Sequence, residues 1–324
     1  MSNIKEHWLP YLLGLVILIV ILQNAFSNNS EKNNLPGSPA SLIPDINELS
    51  NSEDDGLIKY GRELITYTSR YLGPHGSVAA ITNGLSCGNC HMEGGTKLYT
   101  NNFLAVASTY PRFRERSGRI ESIEFRVNDC LQRSLNGKTI DSLSKEMKAM
   151  VAYIKWTGKN VTKNSNSDGA GTKEISFLSR AADTVKGKII YSTKCNSCHG
   201  INGEGIMSPD SFSYKYPPLW GSNSYAVSAG MYRITKLASF IKNNMPFGAS
   251  YTAPQISNEE AWDVSAYINS QPHPVKMYAY DWPVVNTKPV DYPFGPYTDG
   301  FSETDHKYGP YGPIKKAKDL TLKK

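Results

Sequence analysis

The chain has 324 residues, of which 40% are hydrophobic and 20% charged. That composition admits two domains with separate cores and excludes a disordered or fibrous protein. The net charge of +6 is mild; it suits anionic small molecules or acidic partners and is too diffuse to argue for nucleic acid.

Lys5 precedes a nearly uninterrupted apolar stretch from Trp8 to Leu22, which Gln23 and Asn24 close. The stretch is short for a spanning helix and suits the apolar part of a secretion signal, while Ala25 and Phe26 bring it near the length of a short anchor. Residues 1–26 therefore read as a signal peptide or signal-anchor, and the chain as exported. Residues 27–54, rich in Asn, Ser, Glu and Pro, read as a flexible tether.

Two similar units follow. The first, 55–157, opens with Tyr60-Gly61 and Leu64-Ile65, and closes with Glu146, Met147, Met150, Tyr153 and Ile154 at helical spacing. A polar stretch without apolar periodicity, 158–176, reads as a linker. The second unit, 177–271, opens with Lys186-Gly187 and Ile189-Ile190-Tyr191. It closes with a capping box, Ser257-Asn-Glu-Glu260, and the stripe Ala261, Val264, Tyr267 and Ile268. Residues 272–324 are dense in Pro, Gly and Tyr. Proline removes donors and disfavours helix before it, so Pro272 to Ile314 is predicted to be irregular, an extended strap across the domains.

Four of the five cysteines lie in Cys87-Gly-Asn-Cys90-His91 and Cys195-Asn-Ser-Cys198-His199. Two thiols three positions apart reach the two vinyl groups of one haem, and the adjacent histidine meets its iron. A redox dithiol or half a zinc site is the bland reading of one such motif. Two copies in matching helical units of an exported chain point instead to two covalently bound haem c groups. Helix, haem-binding loop, long loop and terminal helix, taken twice, resemble the class I cytochromes c. The fold class is all-α: two such domains with an irregular C-terminal strap.

Each iron has His91 or His199 on one side and needs a sixth ligand or an open position. In the second unit Met245-Pro246 lies 46 residues after His199 and 22 before Tyr267. Class I cytochromes c place their axial methionine there; Met207 and Met231 compete. In the first unit a count of 23 back from Tyr153 reaches Cys130, the fifth cysteine. His75, Met147 and Met150 are its rivals. A thiolate lowers a haem potential and methionine raises it, within a range of roughly 0.8 V set by axial ligands. Electrons would then run downhill from the first haem to the second. Arg112, Arg114, Arg116, Arg119, Arg126 and Arg133 surround Cys130 in the sequence. Guanidinium groups bind oxyanions by paired hydrogen bonds, although a run of arginines is more often a solvated face.

Several motifs together resemble the diheme thiosulfate dehydrogenases from about residue 55 to Ile314. They are Arg126-Val-Asn-Asp-Cys130, Arg133-Ser-Leu-Asn-Gly137, both haem motifs, Asn244-Met245-Pro246, Lys288-Pro-Val-Asp291, Phe294-Gly-Pro-Tyr-Thr-Asp-Gly300 and His306-Lys-Tyr-Gly-Pro310. The resemblance implies oxidation of two thiosulfates to tetrathionate, with Cys130 as haem ligand and Arg116, Arg126 and Ser134 on the substrate side. It also implies a periplasmic location and an external cytochrome or similar acceptor. Where some relatives carry a lysine before the methionine, this chain has Asn244, so lysine ligation from that position is excluded. A non-catalytic diheme electron carrier and a tetrathionate reductase or related sulfur enzyme are the alternatives.

Overall fold

The computed structural model describes residues 39–321. The signal or anchor expected at 1–26 lies outside them, and among the described residues no helix is long and apolar enough to cross a membrane. The predicted tether is described from Pro39 onward and is not free there: Ile46 and Leu49 pack against the first core. Apolar side chains in an otherwise polar stretch account for the difference.

The first unit is framed by helices α1 (Glu53–Thr66), α2 (Ile123–Arg133) and α3 (Lys145–Thr157). α1 starts where the Ser52 hydroxyl accepts from the Asp55 amide, and Glu53, Asp54 and Asp55 complement its N-terminal dipole. Its buried residues Leu64 and Ile65 join Met147, Met150, Tyr153 and Ile154 of α3 in one core. The second unit repeats this with α4 (Thr184–Lys194), α5 (Ile234–Asn244) and α6 (Asn258–Ser270). The Ser257–Glu260 capping box forms in both directions, and Ala261, Val264 and Ile268 are buried.

Among the described residues strands are confined to two short antiparallel pairs. β1 (Arg112–Arg114) pairs with β2 (Arg119–Glu121), with Phe113 opposite Ile120, and β3 (Ile206–Met207) pairs with β4 (Tyr214–Tyr216). The architecture is two helical cytochrome c-like domains.

One glycine in each unit fixes the crossing of its first and last helices. A Cβ on Gly61 would lie 2.0 Å from the Ala149 carbonyl oxygen and 2.8 Å from Tyr153 Cβ. On Gly187 it would lie 1.9 Å from the Asp263 oxygen and 2.8 Å from Tyr267 Cβ. The obstacle is backbone, which cannot step aside. Gly187→Ala is therefore expected to destabilise the second domain by about 1–3 kcal/mol, the usual cost of overpacking. A thermal melt followed at the haem band would show it as a lowered midpoint; an unchanged midpoint would mean that the crossing is not tight.

The strap differs from expectation at its end. After an extended run it forms α7 (Glu303–Tyr308), capped by Ser302 and Asp305, and α8 (Tyr311–Thr321). Pro313 does not prevent α8 because it falls in the first turn, where its missing N–H would have had no helical partner. Tyr311 and Ile314 are buried in the second core, and Tyr292 is also buried. The strap is packed structure. The predicted linker is also held: Tyr99 and Asn101 donate main-chain bonds of 2.8 Å to Gly169 and Gly171.

Candidate active site and haem-binding segments

α2 carries Arg126 and Cys130 four residues apart, with Ser134 four further on at its C-cap. Residues at this interval share one helix face, so guanidinium, thiol and hydroxyl form a single stripe. The neighbouring stripe of Val127, Leu131 and Leu135 packs into the apolar interior and fixes the helix's rotation. Asp129 and Arg133 make a third stripe, turned towards the strap.

The first haem motif meets that stripe. Burial pushes the Cys87 thiol up to about 11 and Cys90 up to about 12, and Cys130 is near enough to raise both further. Cys130 is also the largest influence holding the Arg126 guanidinium above its ordinary value, against an opposing effect of burial. Burial draws His91 down to about 4, and Arg126 adds to that shift. Cys87, Cys90, His91, Arg126 and Cys130 thus share one electrostatic neighbourhood, although the fourth and fifth are distant from the first three in sequence.

Both histidines are oriented by backbone. His91 Nδ1 lies 2.5 Å from the Asn101 carbonyl oxygen, and its ring packs on Phe103 with centroids 4.6 Å apart. His199 Nδ1 lies 2.8 Å from the Pro217 carbonyl oxygen. A carbonyl only accepts, so each Nδ1 carries the proton and each Nε2 keeps a lone pair, the state an iron ligand requires. No two of the five cysteines form a disulfide. Among the described residues no cluster of His, Cys, Asp or Glu is suited to a bare metal ion. The donor set fits haem c twice and does not fit structural zinc.

The competing ligands separate by position. Met147 and Met150 are fully buried in the first core, His75 sits exposed in a turn, and Met207 lies exposed on β3. Met231 is partly buried at the edge of the second core. Met245 immediately follows α5 and packs against the second core. The amide of Asn244 donates to Phe240 O at 3.0 Å and across the domain boundary to Tyr99 O at 3.2 Å.

The six arginines divide likewise, with Arg114 half-buried at the end of β1. Arg112 and Arg119 are exposed, the latter lying over the Phe125 ring. Arg133 is 2% exposed and has all three guanidinium nitrogens engaged: Nε donates to Asp129, and Nη1 and Nη2 donate to the two Asp281 oxygens at 2.6 and 2.7 Å. Arg126 spends one nitrogen on Asp129 at 2.5 Å and keeps 35% of its side chain open. Arg116 donates from Nε to Asp281 at 3.2 Å and from Nη2 to the Ser228 carbonyl. Burial would raise the Asp129 carboxyl, but Arg126, Arg133 and Arg116 outweigh it and hold it below its ordinary range. Nothing in the sequence pattern had marked Asp281 or Ser228.

Two cytochrome c-like domains, each with a Cys-x-x-Cys-His motif whose histidine is oriented for iron, define a diheme c-type cytochrome. The SoxA/TsdA cytochrome c domain family matches residues 77–162, and the cytochrome c family matches residues 184–272. The chain is 34% identical over 248 residues to a thiosulfate dehydrogenase of Psychrobacter arcticus, covering 76% of this chain and 73% of that one. It is 36% identical over 199 residues to a thiosulfate dehydrogenase of Allochromatium vinosum, covering 60% of this chain and 72% of that one. Among solved structures it resembles the thiosulfate dehydrogenase TsdBA from Marichromatium purpuratum, with a TM-score of 0.64 and 27% identity. That match covers 70% of this chain and 48% of that one, so the chain spans about half of the solved protein. The chain belongs to the thiosulfate dehydrogenase family of oxidoreductases, and its cofactors are two haem c groups.

Proposed function

We propose that the protein oxidises two thiosulfates to one tetrathionate beside the first haem. The observation that carries this reading is that the helix bearing Arg126 and Cys130 on one face packs, through Val127 and Leu131, in one cluster with Cys87 of the first haem motif. In this reading Cys87, Cys90, His91 and Cys130 would hold the first haem, and Cys195, Cys198, His199 and Met245 would hold the other. When bound, the two haems supply one-electron acceptors for the two electrons that the reaction releases.

The residues do the rest. Thiosulfate is a dianion, and two of them repel, so the site must supply positive charge where the sulfurs meet. Arg126 and Arg116 supply it, and the Ser134 hydroxyl offers a hydrogen bond on the same face as Cys130. The Cys130 thiolate joins the outer sulfur of one thiosulfate in an S–S bond, with loss of two electrons. A second thiosulfate then attacks that sulfur, tetrathionate leaves and the thiolate returns. No proton is consumed. Asn244, its amide already bonded to Phe240 and Tyr99, is not a ligand, which favours Met245 and a higher potential at the exit. The acceptor is an external cytochrome or similar redox protein, and the reaction takes place in the periplasm.

The test is thiosulfate-dependent reduction of ferricyanide by the diheme protein, with tetrathionate measured as product. Turnover with one tetrathionate per two electrons is expected. Absence of turnover from mildly acidic to neutral pH, with both haems loaded, would overturn the reading in favour of tetrathionate reduction or simple electron carriage.

A further inference from the structure

Arg116 sits on a hairpin that cannot fix it alone. β1 and β2 are three residues each, and Phe113 and Ile120 across from one another are 52% and 71% exposed. A two-stranded hairpin without a covered face is marginal in water, and a free arginine side chain has many rotamers to lose before it aims at anything. What holds Arg116 comes from the other half of the chain. Asp281 of the strap accepts from its Nε, the Ser228 carbonyl of the second domain accepts from its Nη2, and the Trp282 amide donates 2.7 Å to its main-chain oxygen. Behind the hairpin turn Pro283 packs so closely that a Cβ on Gly118, whose φ is +64°, would come within 2.5 Å of its ring.

We propose that Asp281 is a positioning residue for the anion site: it aims Arg116 at the substrate, so that the strap and the second domain complete a site otherwise built from the first. The proposal rests on the reading of Arg116 as a substrate-side group. Asp281 is buried, its side chain 4% exposed, and one of its oxygens serves Arg116 and Arg133 together. The strap thereby fixes the separation of two guanidiniums, one turned to substrate and one used up in structure. Three guanidiniums, of Arg116, Arg126 and Arg133, face two carboxylates, of Asp129 and Asp281, leaving a single positive charge in the network.

That charge count gives the test a sign. If Asp281 acted only through net charge, Asp281→Asn would make the site more positive and lower the KM for thiosulfate. If it positions Arg116, the same variant raises KM about tenfold or more, because a buried charge pair loses one partner, while kcat stays within about threefold. The expected result is the rise, with haem content unchanged. In an Arg116→Ala background Asp281→Asn should add nothing further, since a residue that acts through another has no effect once that other is gone. A lowered or unchanged KM, or a full additional effect in the Arg116→Ala background, overturns the proposal. Where Asp281→Asn reduces haem loading, the measurement passes to Asp281→Glu, which keeps the charge and shifts it by one methylene. At full haem loading a KM about threefold higher supports positioning, and an unchanged or lower one overturns it. Absence of thiosulfate turnover in the wild type would instead count against the proposed function.

Discussion

Cys130→Gly is expected to lower thiosulfate turnover about a thousandfold or more, the scale seen when a nucleophile is removed from a working site, while both haems stay attached. In the proposed reading attachment falls to Cys87, Cys90 and His91 in the first domain and to Cys195, Cys198 and His199 in the second. None of these depends on the Cys130 side chain for its place: the Cys87 amide is bonded to Thr68, and His91 to the Asn101 carbonyl. The helix also survives the change. Cys130 lies near the end of α2, whose position is set by Leu131 in the apolar interior and by the buried Asp129–Arg133 pair. A glycine there costs about 1 kcal/mol of helix propensity, too little to unfold the domain. Loss of turnover with haem content intact thus isolates the sulfur. The oxidised wild type should show thiolate-ligated haem features that the variant lacks. Turnover preserved in the variant would remove Cys130 from the reaction.

Much of this site was legible before any coordinates. The haem motifs are written in covalent spacing, which tertiary context cannot move. Cys130 stands 23 residues before Tyr153 and Met245 stands 22 before Tyr267, and the two units share a helix crossing built on Gly61 and Gly187. The α6 capping box was legible because its bonds are local, between Ser257 and Glu260.

What was hidden is hidden for physical reasons. The Arg133–Asp281 pair joins positions 148 apart, and the residues flanking Asp281 have no periodicity to announce a buried carboxylate. The hold of residues 169–171 on the His91 loop runs through main-chain bonds from Tyr99 and Asn101 and through Asn102 Nδ2 to Gly169 O at 2.6 Å. Main-chain bonds place no demand on residue type, so a polar stretch that reads as linker is in fact a clamp. The last two helices were masked by Gly, which weakens helices, and by Pro, which is excluded from helix interiors but tolerated in the first turn.

Arg126→Ala is expected to cut kcat/KM for thiosulfate by about 100-fold to 1,000-fold, the range found when one partner of a close, desolvated charge pair is removed. Arg126 has both a partner in the site and donors to spare. Of its five N–H groups one bond goes to Asp129, and its strongest electrostatic influence is Cys130. Its removal does not strand Asp129, which remains paired with Arg133, so the structural cost is small and the loss falls on the anion. Arg126→Lys should recover only part of the activity, because an ammonium cannot offer the paired donors that fit a sulfonate edge. Arg119→Ala, at an exposed position over Phe125, should change kcat/KM by less than about twofold, as surface substitutions do. Equal losses at Arg126 and Arg119 would mean that the site draws anions through diffuse charge alone. A loss confined to Arg126 ties binding to the guanidinium that the helix face sets one turn before the sulfur.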